Sequence, residues 1–375
     1  MDTPKGQSAL VIVWEFPPGP GGIGQHAYSL AVALMRKGLE VDVVTSADYA
    51  NKTTIERFDL DNNRLNIHRV VGKRPFLHVL RLVAVVRHVV RMKPSMVFLS
   101  GKGALWYSFA SRAFLSKDSV VYGFVHGSEV RQSNLFAMHL TKLSMRFTDE
   151  LICVSEFTKR LLEQNVKGLR SISVLVNGLS VALMPSGQPT PLDVIRRKGY
   201  PRLLTVGRIS PRKGQQRVVK ALPYLRTFWP DIHYHMVGLD SDKQELIALA
   251  KRLGVEGNLT IHGVLANRED LYKAYCAADV FIMLSENQRD GDVEGFGIAI
   301  LEANYFGVPA IGAKGCGVED AIRSGTNGYL ISANHPEELA DAVKKCLSVP
   351  SLKIASKEWA RMHDWDTLIS QIISR

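Results

Sequence analysis

The chain is predicted to be an α/β protein built from two doubly wound parallel-sheet halves, and three observations predict it. At 375 residues it exceeds the size at which a single core usually stops growing, so two domains are expected. Its 46% apolar residues supply ample core material. Short apolar runs then alternate with helix-length segments along both halves, the pattern of parallel strands joined by crossovers and covered on both faces.

In the first half the strand-like runs are Leu10–Val13, Val41–Thr45, Ile67–Val71, Met96–Ser100, Val120–Val125, Leu151–Val154 and Ile172–Val176, with helical stretches such as Gln25–Lys37 and Glu156–Asn165 between them. In the second half they are Leu203–Val206, His233–Val237, Leu259–His262, Val280–Leu284, Pro309–Gly312 and Gly328–Ile331. The seam is placed in Ser180–Arg202, where Pro185, Gly187, Pro189, Pro191 and Gly199 cluster in a loop-like composition. Domains are therefore expected at 1–183 and 184–363, with 364–375 crossing back to the first. Trp359–Ser374 reads as one or two helices. Two doubly wound halves of similar size place a ligand crevice between them.

Composition restricts the function. Cys153, Cys276, Cys316 and Cys346 are scattered without metal-like spacing, which argues against a zinc site or a disulfide framework and favours a reducing cytoplasm. Lys5 precedes only a short apolar strand, with no signal-peptide pattern. The net charge of +11 calls for an anionic partner. Basic residues are dispersed and carry no nucleic-acid-binding signature, which leaves anionic lipid or a phosphorylated substrate. Phe76–Met92 is the local clue: Arg81, Arg87, His88 and Arg91 fall on one side of a helical wheel, and Leu80, Leu82, Val83, Val86 and Val90 largely elsewhere. Such a helix can lie on an anionic membrane. It can equally be an ordinary helix of an α/β domain, apolar where it meets its sheet. With 17 residues and three arginines it is a poor transmembrane span.

The chemistry is concentrated in Asp292-Val293-Glu294-Gly295-Phe296-Gly297-Ile298, followed by Glu302. A diphosphate is bound well by backbone N–H groups at a helix N-terminus, and sugar or ribose hydroxyls by carboxylates. Gly295 and Gly297 allow close backbone approach. Glu302 lies roughly 7.5 Å along the following helix. In the second half Val206-Gly207-Arg208-Ile209-Ser210-Pro211-Arg212-Lys213-Gly214 leaves the first strand. There Arg208 and Lys213 can clamp a diphosphate as fork donor and point charge; the alternative is a solvated basic loop.

Two motifs belong to the first half. Phe16–Gly24 contains Gly19, Gly21 and Gly24 in dinucleotide-binding spacing, but the first glycine stands behind two prolines, and the second strand ends in Thr45 rather than in an acid. The loop is read as one that admits a sugar or phosphate, with a purely structural turn as the alternative. His126-Gly127-Ser128 follows the strand Val120–Val125, where a histidine points to the crevice of an open sheet; a lone histidine is more often structural.

Together, the glycine loop, His126-Gly127, Val206-Gly207-Arg208 with Lys213-Gly214, Gly263-Val264 and Glu294 with Glu302 resemble the retaining glycosyltransferases of family 4, over essentially the whole chain. Trp365 and its helix look like that family's terminal segment. The resemblance implies a GT-B fold of two Rossmann-like domains. It implies that Arg208 and Lys213 neutralise the leaving diphosphate, Glu302 holds the ribose and Glu294 lies near the donor sugar. Gly207, Phe296, Gly297 and Ile298 contribute to donor binding, and Val264 lies near the base. His126 stands beside the transferring sugar, and Gly21 and Gly22 border the phosphates and acceptor.

The expected activity is hexosyl transfer from a nucleotide-sugar. No cofactor or metal is expected, because Arg208, Lys213 and helix N–H groups can do the work of a cation and Asp290 and Asp292 fit a metal motif only loosely. Asp292–Gly295 resembles the run in bacterial phosphatidylinositol mannosyltransferases, which makes GDP-mannose the leading donor and a UDP-sugar the alternative. The acceptor is expected to be a lipid-linked or anionic glycan, with an anionic membrane surface as a further contact. The expected location is the cytoplasm or the inner face of its membrane. Rival readings are a nucleotide-sugar epimerase, a non-catalytic nucleotide-sugar-binding subunit and, on the glycine spacing alone, a dehydrogenase.

Overall fold

The computed structural model describes residues 7–47, 50–72, 76–130, 134–288 and 291–374; Lys5 and Asp290 lie outside them. The chain divides into two units, Met1–Ser180 with Asp364–Arg375, and Val181–His363.

The first unit holds β1 (Ser8–Val13), β2 (Glu40–Ser46), β3 (Asn66–Val70), β4 (Met96–Ser100), β5 (Val120–Val125), β6 (Glu150–Cys153) and β7 (Ile172–Val174). They form one sheet in the order β3-β2-β1-β4-β5-β6-β7, with every pairing parallel. The second unit holds β8 (Arg202–Val206), β9 (His233–Val237), β10 (Leu259–Gly263), β11 (Val280–Met283), β12 (Ala310–Ala313) and β13 (Gly328–Ile331). Their order is β10-β9-β8-β11-β12-β13, again all parallel. These are Rossmann-like doubly wound sheets, and the apolar runs of the sequence coincide with their strands to within one or two residues at either end.

Position in the sheet explains strand composition. Central β1 and β4 are covered on both faces, so Leu10, Val11, Ile12, Val97, Phe98 and Leu99 are all fully buried and follow one another without polar alternation. Edge strand β3 reads Asn-Ile-His-Arg-Val and is largely half-buried, polar where a sheet edge meets water.

The helix after β1 spans Gly22–Arg36, so Gly22 and Gly24 belong to its first turn rather than to the loop. A Cβ on Gly24 would press on the Glu15 carbonyl, so glycine brings this helix against the exit of β1. The seam is not a free linker: Tyr272 Oη donates to the Leu183 carbonyl at 3.3 Å, and Tyr305 Oη to that of Pro185 at 3.1 Å. At the other end Trp365 is buried against the His26 ring at 5.1 Å, and Arg36 pairs with Asp366 at 2.7 Å, which ties the terminal helices to the first unit.

Helix Leu77–Met92 differs from its sequence reading. Its buried stripe is Leu77, Arg81, Val85 and Val89. Arg81 does not join a basic surface: its guanidinium lies 4.6 Å from the Trp14 ring centroid and donates to Ser46 Oγ. Val79 and Val83 are 58% exposed, and Leu80, Leu82 and Val90 are exposed with them. The helix therefore turns apolar side chains outward, interspersed with exposed Arg87 and Arg91. A wheel drawn from hydrophobicity alone inverts this, because it cannot anticipate that an aromatic ring and a hydroxyl will accommodate a buried guanidinium.

Candidate active site

In the second sheet the chain order reverses between β8 and β11, and segments leaving their carboxyl ends flank the natural ligand position of an open α/β sheet. From β8 the chain runs through Gly207–Ser210 and the tight turn Pro211–Lys213 to Gly214, then into helix Gln215–Leu225. Gly214 has φ +75°, and a Cβ there would fall on the Leu284 carbonyl at the exit of β11. Glycine is what lets the two segments touch. Gln215 fastens the loop by donating to the Arg208 carbonyl at 3.0 Å, and Glu286 N–H donates to the Arg212 carbonyl at 2.8 Å.

This backbone brings the cationic loop to the acidic turn. Lys213 Nζ lies 2.6 Å from Glu294 Oε2, Arg212 Nη1 donates to the same oxygen, and Arg212 Nε pairs with Asp292 at 3.0 Å. Lys213 and Glu294 are nearly enclosed, with side chains 14% and 10% exposed. Burial alone would push the Glu294 carboxyl up; Lys213 and Arg212 outweigh it and hold the group at about 2. Burial likewise opposes the Arg212 charge, but Glu294 and Asp292 overcome it and raise its pKa. Glu294 is thus a fixed anion at neutral pH, unsuited to carrying a proton.

The chain beyond Glu294 is equally constrained. Gly317 N–H donates to the Glu294 carbonyl at 2.9 Å, and a Cβ on Gly317 would collide with the carbonyls of Glu294 and Gly295. Gly297, with φ +90°, starts helix Ile298–Tyr305, and no side chain caps that N-terminus. Phe296 is buried, so only its backbone is available to a ligand. Glu302, the fifth residue of the helix, accepts a 2.7 Å hydrogen bond from Tyr275 Oη. Arg208 is exposed and makes no ion pair among the described residues, and Val264 is exposed just after β10. Gly207 has φ +146° and lies under the Lys213 stem.

Three candidate residues belong to the first unit. His126 leaves the carboxyl end of β5 almost fully buried, with Nε2 3.0 Å from Ser100 Oγ and its ring 4.7 Å from that of His26. Burial lowers its pKa to about 3, so it is neutral. Gly21 and Gly22 are exposed at the start of the Gly22–Arg36 helix.

Sequence reasoning overlooked Arg212, Asp292 as its partner, and Glu129. The signal for Arg212 was its place beside Lys213 in the same turn. Glu129 accepts the N–H groups of His126 and Gly127 at 2.9 and 2.7 Å, closing the turn on which His126 sits. Burial raises its carboxyl to about 7 against the pull of those N–H groups and Lys102. A carboxylate three residues after a strand-end histidine was the visible cue.

Comparison with known proteins follows these two units. Residues 193–362 match the family described as Glycosyl transferases group 1, and residues 20–183 match Glycosyltransferase Family 4. Among curated relatives, the GDP-mannose-dependent alpha-(1-6)-phosphatidylinositol monomannoside mannosyltransferase of Mycobacterium tuberculosis is 27% identical over 97% of this chain and 96% of its own. A GDP-mannose-dependent monoacylated alpha-(1-6)-phosphatidylinositol monomannoside mannosyltransferase of Corynebacterium glutamicum is 26% identical over 95% of this chain and 93% of its own. Among solved structures, Anabaena HepE in complex with UDP and glucose aligns with a TM-score of 0.76 at 19% identity, covering 98% of each chain. The sucrose-phosphate synthase of Thermosynechococcus elongatus aligns with a TM-score of 0.76 at 17% identity, over 98% of this chain and 97% of that one. The fold is GT-B, and the chain is a glycosyltransferase whose first unit matches Glycosyltransferase Family 4 and whose second matches Glycosyl transferases group 1.

Proposed function

We propose that this glycosyltransferase moves a hexose from a nucleoside-diphosphate sugar to a lipid-linked or anionic glycan acceptor, with retention of anomeric configuration and without a metal ion. The observation that carries the proposal is the pairing of Lys213 and Arg212 with Glu294 at the carboxyl ends of β8 and β11. Two cations and a helix N-terminus on one rigid floor suit the charge that develops on a departing diphosphate. Lys213 and Arg208 are assigned to the leaving phosphates, with Arg212 orienting Glu294. The N–H groups of Phe296, Gly297 and Ile298 are assigned to phosphate and sugar, and the Glu302 oxygen not engaged by Tyr275 to the ribose.

In the transfer step the bond from the anomeric carbon to the diphosphate oxygen breaks, and the acceptor oxygen bonds to that carbon from the same face. The acceptor proton passes to the departing phosphate oxygen. Glu294 is not assigned as nucleophile or base: its carboxylate is neutralised by two cations and held near pKa 2. Its role is electrostatic, and it keeps Lys213 in place until the diphosphate arrives.

GDP-mannose is the leading donor, on the strength of the mycobacterial and corynebacterial relatives named above, with a UDP-sugar as the alternative. The outward apolar face of Leu77–Met92, with Arg87 and Arg91, supports attachment to an anionic membrane carrying a lipid-linked acceptor. No helix among the described residues is long and apolar enough to cross a membrane. The test is hydrolysis and transfer against a panel of nucleotide-sugars, with the product anomer read by NMR. GDP-mannose turnover with a retained α-anomer is expected; turnover of UDP-sugars alone would replace the donor, and an inverted product would overturn the mechanism.

A further inference from the structure

The first unit carries a second concentration of ligating side chains, at the edge of its sheet. Asp42 on β2, His68 on β3 and His88 on helix Leu77–Met92 converge so that one ligand atom from each lies within 4.8 Å of the others. His68 Nε2 lies 3.5 Å from Asp42 Oδ2, and the two imidazole centroids are 4.1 Å apart. All three side chains are half-buried, which leaves the cluster shielded on one side and open to water on the other.

The surroundings orient the donors. His88 Nδ1 lies 2.7 Å from the Ala84 carbonyl, which can only accept, so Nδ1 carries the proton and Nε2 presents a lone pair. Asn66 Nδ2 donates to Asp42 Oδ1 at 2.9 Å, leaving Oδ2 to face His68. A ring N–H held by a backbone carbonyl and a carboxylate held by an amide are the supports that metal ligands commonly have.

We propose that Asp42, His68 and His88 form a binding site for a divalent ion of the zinc type, with water as the fourth ligand. Two imidazole nitrogens and one carboxylate oxygen suit zinc, at about 2.0–2.2 Å from each donor. Tetrahedral ligation brings donors to roughly 3.4 Å from one another, a closure that His68, with a side chain 41% exposed, has room to make. The register pairs Asp42 with Asn66 and Val44 with His68, which puts Asp42 in the amino-terminal half of β2 and His68 at the middle of β3, while His88 lies in the last turns of its helix, the end that leads to the start of β4. The site therefore lies away from the carboxyl-end crevice of this sheet, and the ion staples an edge strand to a helix rather than serving transfer.

The test is titration of the full-length protein, freed of metal, with zinc chloride against a chromophoric chelator. Wild type, His68→Gln, His88→Gln, Asn66→Ala and Cys276→Ser are compared, alongside thermal unfolding with and without zinc. The expected result is one saturable site in wild type and Cys276→Ser, with a zinc-dependent rise in Tm. Binding is expected to be at least tenfold weaker in each histidine variant and several-fold weaker in Asn66→Ala, which removes no ligand. Circular dichroism confirms that each variant is folded. Absence of saturable binding in wild type, or equal affinity in the histidine variants, would overturn the assignment.

Discussion

Lys213 Nζ stands 2.6 Å from Glu294 Oε2, although 80 residues of sequence separate the two turns that carry them. In the proposed mechanism this pair keeps a positive charge beside a helix N-terminus, ready for an arriving diphosphate. On the proposed assignment, replacing Lys213 with alanine removes one of the two cations facing the leaving group, and it leaves Glu294 to Arg212 alone. Turnover is expected to fall about 10²–10³-fold, the range for losing one preorganised electrostatic contact. Single-turnover kinetics check this, and a near-normal rate would remove Lys213 from the chemistry.

The same ion pair makes a pH prediction. Glu294 is held at about 2, against an ordinary 4.5. A depressed carboxylate stabilises the fold above pH 4.5, and that contribution is lost as pH falls from 4.5 towards 2. At 1.36 kcal/mol per pH unit the gap corresponds to about 3 kcal/mol. The difference in unfolding free energy between wild type and Glu294→Gln, measured in urea, should be largest near pH 7 and shrink through that window. A constant difference would contradict the charged pair.

Gly214→Ala is expected to act through the backbone. Its φ of +75° disfavours any side chain, and the new methyl would meet the Leu284 carbonyl. Destabilisation of roughly 3 kcal/mol or more follows. Differential scanning calorimetry should show a lowered transition together with lost donor binding. An unchanged transition would mean that the two segments are not in contact.

The outward face of Leu77–Met92 separates membrane attachment from catalysis. Val79→Asp with Val83→Asp places charge on two exposed positions and disturbs no buried contact. Sedimentation with phosphatidylglycerol vesicles is expected to fall at least tenfold, while donor hydrolysis in solution is retained. Unaltered sedimentation would locate the membrane contact elsewhere.

Chelation supplies another discriminating condition. With EDTA in excess, hexosyl transfer should continue at the untreated rate, because the proposed mechanism gives the diphosphate charge to Lys213, Arg208 and backbone N–H groups. A loss of activity that magnesium restores would contradict this.

The strand pattern and the principal charged turns were readable because each is local: a doubly covered strand is a run of apolar residues, and a glycine-rich turn advertises itself. Strand order is not local, so nothing in the sequence placed β8 beside β11 before the sheet was seen. Arg212 was passed over because adjacent basic residues in one turn are indistinguishable until the fold aims one of them at Glu294 and Asp292. Arg81 was misplaced for the opposite reason: its charge argued for the surface, while Trp14 and Ser46, distant in sequence, received it in the interior. The Asp42–His68–His88 cluster joins three elements and left no spacing signal at all.

The most direct measurement is calorimetric titration of GDP and UDP into wild type, Lys213→Ala and, as a control on the first unit's surface, Arg87→Ala. Nucleoside diphosphate bound at the Lys213–Glu294 floor should lose at least tenfold in affinity, about 1.4 kcal/mol, in Lys213→Ala and nothing in Arg87→Ala. Equal affinity of all three proteins for both nucleotides would contradict the placement of the donor site.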